Sequence, residues 1–181
     1  MFPGGLNSVS GRRFFFALWP DRQVREALSA LAHGVELAEG RRHHADDLHM
    51  TLVFLGQIAP SQRRCIEDVA DRIRSAPFDL TIDHTGYWPR PRILWASPEE
   101  TPKALGQLVA DLNNGLRGCG FEPERRSYKP HVTLYRKARK AITTQLASPI
   151  TWRVNEFVLA ASATADSHRS RYQVLNRWRL V

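Results

Sequence analysis

Apolar positions along the chain keep two different periods. Phe78, Leu80 and Ile82 alternate with Asp79, Thr81 and Asp83, the period of a half-buried strand. Residues 13–19 (RFFFALW) and 48–55 (LHMTLVFL, stopped by Gly56) are short unbroken apolar runs and read as buried strands. Further short strands are predicted over 93–96, 131–135, 154–161 and 172–180. Between them the spacing lengthens to that of a helix. Val24, Leu28, Leu31 and Val35 follow Pro20-Asp21; Ile66, Val69 and Ile73 follow Pro60-Ser61; a third helix is predicted over 102–116, ending near Gly118 and Gly120. The polar segment 40–47 reads as a loop. Strands of this kind alternating with three helices predict an α+β or mixed α/β fold.

One four-residue pattern occurs twice on predicted strands, nearly half the chain apart: His49-Met50-Thr51-Leu52 and His131-Val132-Thr133-Leu134. Successive strand side chains point to opposite faces. His49 and Thr51 therefore share one face while Met50 and Leu52 enter a core, and the second copy repeats this arrangement. Two such units facing each other about a pseudo-two-fold axis line a cleft with two imidazoles and two hydroxyls. That set suits in-line opening of a cyclic phosphate. One histidine takes a proton from attacking water, the other gives one to the leaving oxygen, and the threonines donate to the non-bridging oxygens. Imidazole titrates near a pKa of about 6.5, so both protonation states are accessible near neutrality. None of these steps needs a metal, and no cofactor is expected. A lone strand histidine is ordinarily a hydrogen-bond partner, and strand threonine is ordinary β-propensity. The matched pair carries the chemical reading.

Composition adds a bias toward anions. The formal net charge is +8, and every basic residue except Lys103, Lys129, Lys137 and Lys140 is arginine. Guanidinium groups hold phosphates by two-pronged contacts and attract polyanions through space, although an arginine-rich solvated surface produces the same total. A chain of 181 residues with 43% hydrophobic composition suits one domain or two small lobes sharing a core. Residues 1–12, rich in Gly, Ser and Asn, read as a loose tail, and 13–181 as a single two-lobed domain. Cys65 and Cys119 have no CxxC partner and read as ordinary thiols in a reducing cytoplasm. No apolar stretch approaches a membrane span, and no apolar stripe is left over, so a monomer with no membrane contact is expected. No GxGxxG follows the first strand, and Walker A and zinc-ligand spacings are absent.

The HxTL pair, in LHMTLVFLG and YKPHVTLYR, resembles the 2H phosphoesterases. Within them the chain is most similar to the RNA 2′,3′-cyclic phosphodiesterases, also called 2′-5′ RNA ligases of the LigT type. RRFFFALWP, FDLTIDHTGYW with ILWA, and VNEFVLAAS with RSRYQVLNRW extend the likeness from about residue 13 to 180. The resemblance implies an α+β, two-lobed fold with two antiparallel sheets facing a central cleft and helices outside. It implies metal-independent hydrolysis of 2′,3′-cyclic phosphate ends to 2′-phosphates, on RNA or nucleoside 2′,3′-cyclic phosphates. It also implies His49 as proton donor and His131 as proton acceptor. Joining the cyclic end to a 5′-hydroxyl would use the same histidines, so 2′-5′ ligation stays open. A non-catalytic RNA-binding module would have no use for both.

The resemblance also places a phosphate-binding arginine at Arg136 and a base-stacking aromatic at Phe16. Ideal alternation puts Arg136 on the wrong face, so a strand end or bulge is required there. For Phe16, a place in the core competes equally with stacking. Tyr172 reads as a strand-end residue and Lys129 as a surface residue. Arg169, Arg171, His43 and His44 read as solvent-facing, and His84 and His168 as structural or exposed.

Overall fold

The computed structural model describes residues 11–35, 39–124, 126–139, 144–163 and 170–181. Among them the chain runs β1 (Phe14–Leu18), α1 (Arg22–Gly34), β2 (Glu39–Arg42), a 3₁₀ turn (Ala45–Asp47), β3 (Met50–Gly56), α2 (Pro60–Arg72), β4 (Phe78–Trp88), β5 (Ile93–Ser97), α3 (Lys103–Arg117), β6 (Val132–Arg139), β7 (Thr144–Val154), β8 (Glu156–Ser162) and β9 (Tyr172–Arg179). Asp21 opens α1 as expected, its carboxylate accepting the Val24 N–H at 2.9 Å. A cap of this kind is worth about 1 kcal/mol.

Two strands escape the hydrophobic pattern. β2 lies partly within the segment read as a loop, and all four of its residues are exposed. β7 is also mostly exposed and takes its place by pairing along β4. The single strand expected over 154–161 is broken at Asn155, where β7 ends and β8 begins. The tail expected over 1–12 lies outside the described residues as far as 10. Arg12 is held, its Nε donating to the Ser162 carbonyl at 2.9 Å.

The strands lie in the order β7-β4-β5-β6-β3-β1-β8-β9, with β2 also on β6. All the pairings are antiparallel. The central joint between β3 and β6 is a single register pair, Met50 with Val132. The two sheets therefore form two arms of one strand path, meeting at one rung. Met50 and Val132 each open their strand, so the antiparallel strands leave this rung in opposite directions. Extending the register by one residue sets His49 beside Thr133 and Thr51 beside His131. The pseudo-two-fold axis passes through the Met50–Val132 rung.

One face of the arms carries the main core. Phe16, Leu18, Met50, Val132 and Leu134 join the buried faces of α1, α2 and α3 there. Each large side chain so buried contributes roughly 1.5–3 kcal/mol. α2 and α3 pack closely because Gly115 has no side chain: a Cβ there would meet Val69 at 2.6 Å. The same close approach brings Cys65 and Cys119 together as a disulfide, with Cα atoms 5.8 Å apart. This corrects the reading of both as ordinary thiols, since helix packing joins cysteines that spacing left unrelated. No helix of the described residues is long and apolar enough to cross a membrane.

Candidate active site

The opposite face of the arms holds the motif pair. The His49 Nδ1 lies 2.7 Å from the Asp47 carbonyl, and the His131 Nδ1 lies 2.9 Å from the Lys129 carbonyl. A carbonyl oxygen only accepts, so each Nδ1 carries a proton and donates it. Each Nε2 is left as the atom that titrates. Both braces reach the residue two positions back, so the two motifs repeat in side-chain geometry as well as in sequence.

Each brace is anchored in turn. Asp47 is buried, and its carboxylate accepts from the Ser170 hydroxyl at 2.7 Å and the Arg171 N–H at 2.8 Å. Before the second motif, Ser97 donates to the Pro130 carbonyl at 2.6 Å. Tyr128 donates across the joint to the Thr51 carbonyl at 3.0 Å, and burial raises its phenol pKa. Among the described residues, the half-buried Thr51 and Thr133 hydroxyls have no protein partner, which leaves both available to a ligand.

The surroundings of the two histidines differ. His49 sits in an aromatic box. Trp19 stacks on it at 5.3 Å with planes 6° apart, Phe15 lies at 4.9 Å, and Tyr172 stands edge-on at 4.9 Å. Among the described residues His131 meets one ring, Trp88, edge-on at 4.6 Å. Behind Trp88 lies Trp95, against which His84 stands edge-on at 5.5 Å. Gly86 makes room for this wall, because a Cβ there would strike the Trp95 indole at 2.1 Å. The Trp95 Nε1 is buried without a partner among the described residues.

Phe16 is not part of this face. It is fully buried in the core against Phe157 and Trp178. The alternation of β1 turns Phe15, Ala17 and Trp19 toward the histidines and Phe16 and Leu18 away. The β1 phenylalanine on this face is Phe15, buried against His49, since three consecutive phenylalanines give no alternation from which to read the face. Tyr172, read as a strand-end residue, is a wall of the His49 box.

Arg136 reaches the site through a bulge. Trp95 pairs with Thr133 but Leu94 pairs with Tyr135, so β6 carries one extra residue. That residue shifts the alternation and returns Arg136 to the face of His131 and Thr133, as the sequence required. Its Nε donates to the His43 Nε2 at 3.1 Å. A guanidinium only donates, so His43 is unprotonated at Nε2. His43 is buried at 8% exposure, against its reading as a solvent-facing residue, whereas His44 is exposed. The His43 N–H bonds the Leu134 carbonyl at 2.8 Å, which draws the ring inward at the bulge. Lys129 is exposed and serves through its carbonyl, and Arg171 through its N–H. Arg169 and His168 lie outside the described residues.

Electrostatics favour neutral rings in the unliganded protein. Burial lowers the His49 pKa to about 4; the Asp47 backbone and carboxylate oppose the shift, while His43 and His131 add to it. Burial also lowers the His131 pKa, with the Arg136 charge working in the same direction. His43 is lowered to about 4 by burial and then by Arg136. Among the described residues, no three His, Cys, Asp or Glu side chains gather as ligands of a metal would.

A sequence profile described as the 2′-5′ RNA ligase superfamily matches residues 20–166. An Escherichia coli K12 protein named RNA 2′,3′-cyclic phosphodiesterase is 36% identical over 94% of this chain and 97% of its own length. A protein of the same name from Methanothermobacter thermautotrophicus is 31% identical over 68% of this chain and 70% of its own. The crystal structure of E. coli LigT complexed with 3′-AMP superposes with a TM-score of 0.85 at 35% identity, covering 93% of this chain and 98% of that one. With the profile spanning most of the chain and the fold shared, the chain belongs to the 2′-5′ RNA ligase superfamily.

Proposed function

We propose that this protein hydrolyses RNA 2′,3′-cyclic phosphate ends to 2′-phosphates, without a metal, by paired-histidine acid–base catalysis. The observation that carries this reading is the doubled brace. Two imidazoles flank one strand rung, each with Nδ1 bound to a backbone carbonyl, so that each Nε2 is free to exchange a proton. The His131 Nε2 takes a proton from water as its oxygen attacks phosphorus. The P–O3′ bond breaks in line, and the His49 Nε2–H gives its proton to O3′. The two histidines end with their protonation states exchanged, and solvent resets them.

Burial lowers the pKa of both rings, that of His49 to about 4, so the order of roles rests on the neighbouring charges, which differ between the two. His131 stands in the field of the Arg136 cation, which favours a neutral ring, as a base requires. His49 stands beside the Asp47 carboxylate, which favours the protonated ring, as an acid requires. The Trp19 face stacked on His49 adds attraction for an imidazolium. Thr51, Thr133 and Arg136 hold the non-bridging oxygens, where charge gathers. Trp88 and Trp95, half-buried on the His131 side, replace Phe16 as the rings offered to a base, while Phe15 is buried against His49.

Both histidines come from one chain, which supports reading residues 13–181 as one two-lobed domain that needs no second copy to complete its site. We place the enzyme in the cytoplasm with its RNA substrate. There the Cys65–Cys119 bond is open to reduction.

The test is product analysis. Protein in excess EDTA is mixed with a 2′,3′-cyclic nucleotide and with a short RNA ending in that group, beside the His49→Ala protein. A 2′-phosphate that forms despite EDTA and is lost in the variant is the expected result. No product from either substrate ends the hydrolase reading.

A further inference from the structure

A second pocket adjoins the site without sharing its chemistry. It offers about 620 Å³, within the range of ligand sites, and is walled by Trp19 and Trp152, with Arg25, Arg153, Arg177 and Arg179 outnumbering the carboxylates of Asp21 and Glu156. None of His49, Thr51, His131, Thr133 and Arg136 lines it. Trp19 is the shared wall: it bounds the pocket and its ring stacks on His49.

Arg177 and Arg179 reach this face because of a second bulge. Val158 pairs with Arg177 and Leu159 with Asn176, but Ala160 pairs with Val174, so Leu175 is an extra residue in β9. Without it, the face that carries Tyr172 and Val174 would continue as Asn176 and Trp178. With it, Trp178 turns into the core and Arg177 and Arg179 turn outward on the Tyr172 side. The strand is thus built to extend the His49 box, past Trp19, as a run of guanidinium groups.

Three of these arginines rest on carboxylates: Arg25 on Asp46 at 3.1 Å, Arg153 on Asp79 at 3.2 Å, and Arg177 on Glu156. Exposed pairs of this kind are weak and exchange readily for a phosphate. Arg179 has no ion-pair partner among the described residues. An aromatic wall leading into a cationic groove is the arrangement that tracks single-stranded nucleic acid.

We propose that this pocket is a subsite for the ribose–phosphate backbone of the RNA strand leading to the cyclic end, with Arg177 and Arg179 as its phosphate contacts. It rests on the RNA reading of the catalytic site and adds what distinguishes a strand from a mononucleotide. A nucleoside 2′,3′-cyclic phosphate ends before the pocket; a strand enters it.

The experiment compares wild type with Arg177→Ala/Arg179→Ala on a nucleoside 2′,3′-cyclic phosphate and on a short RNA ending in that group. The expected result is a loss of about ten-fold in kcat/KM on the RNA, carried by KM, with the mononucleotide within about two-fold of wild type. The salt dependence of RNA binding flattens by about one to two in log–log slope. A second arm needs no turnover: fluorescence anisotropy of a short RNA bearing a 3′-terminal phosphate, where the variant binds about ten-fold more weakly. Equal losses on both substrates, or unchanged RNA binding, overturn the subsite. If wild type turns over neither substrate but binds RNA through these arginines, the hydrolase reading fails while the subsite stands.

Discussion

The two motif arms are alike in backbone and unlike in environment. Each supplies HxTL at the start of a strand, each braces its histidine on the carbonyl two residues back, and both meet at the Met50–Val132 rung. Around His49 the space is filled with rings; around His131 it is bordered by one tryptophan and a cation held by His43. A two-fold backbone alone would give two interchangeable groups. The side chains break that symmetry. The β3 arm offers a carboxylate and a stacked indole, which favour a protonated ring, and the β6 arm offers a guanidinium, which favours a neutral ring and an anionic ligand. In the proposed mechanism, acid and base roles therefore belong to the surroundings, not to the motif.

The strongest way to break this comparison is to remove each histidine in turn. His49→Ala and His131→Ala each lower kcat by at least about 10²-fold on a cyclic phosphate substrate, measured at saturation. The double variant loses far less than the product of the two, because the residues act as a unit. Independent, multiplying losses would mean that the arms do not share one reaction.

Removing the cation tests the β6 arm alone. Arg136→Ala lowers kcat/KM by about 10²-fold, the size of effect seen when one donor to a developing oxyanion is lost. Arg136→Lys recovers only part of it, since an ammonium cannot both donate to His43 and present a planar fork. Full activity in Arg136→Lys would reduce Arg136 to a point charge.

The motif was legible because its chemistry lies in two short strings, and strand alternation assigns the faces within each. The need for a bulge at Arg136 was legible for the same reason: parity put the residue on the wrong side of its own motif. Elsewhere the signal was missing. Phe14, Phe15 and Phe16 are three equal rings in a row, so the face turned to His49 could be read only from register. β7 is mostly exposed, with only Trp152 and Val154 buried near its end, and it is placed by its pairing with β4. His43 and His44 are adjacent and alike, and the Leu134 carbonyl and Arg136 select which is buried. Trp88 and Trp95 lie on different strands and far from the His131 motif, joined to it only when β4, β5 and β6 pair. The disulfide required the packing of α2 on α3.

Acidity sharpens the comparison in a different way. His49 is lowered to about 4 and His131 is also lowered, so in free enzyme the form with one ring protonated is concentrated on the acid side. The expected kcat/KM profile, which reports free enzyme, is a bell with its maximum below pH ~6.5. The kcat profile, which reports the complex, shifts to higher pH by about one unit, because a bound phosphate anion favours the imidazolium. A kcat/KM maximum above neutrality, with chemistry rate-limiting, would contradict burial as the dominant influence on these rings.

The smallest expected effect isolates His43, which sets the Arg136 guanidinium without belonging to either motif. His43→Val removes the acceptor for the Arg136 Nε–H. Arg136 then samples more orientations, and KM for a cyclic phosphate rises about three- to ten-fold while kcat changes less than two-fold. His43→Gln restores most of the affinity, since its amide oxygen accepts the same hydrogen bond, and a purely structural role would not separate the two variants in KM. Their stability carries a second signature. In wild type the His43 pKa lies at about 4 in the folded state, against about 6.5 when unfolded. Between these values the unfolded chain binds the extra proton, so folding stability is full above pH ~6.5 and falls as pH drops toward about 4. Replacing His43 with glutamine removes that proton uptake. The difference in urea midpoint between wild type and His43→Gln should therefore move in favour of the variant as pH falls from 7 to 5. A pH-independent difference would mean that His43 is not held neutral beside Arg136.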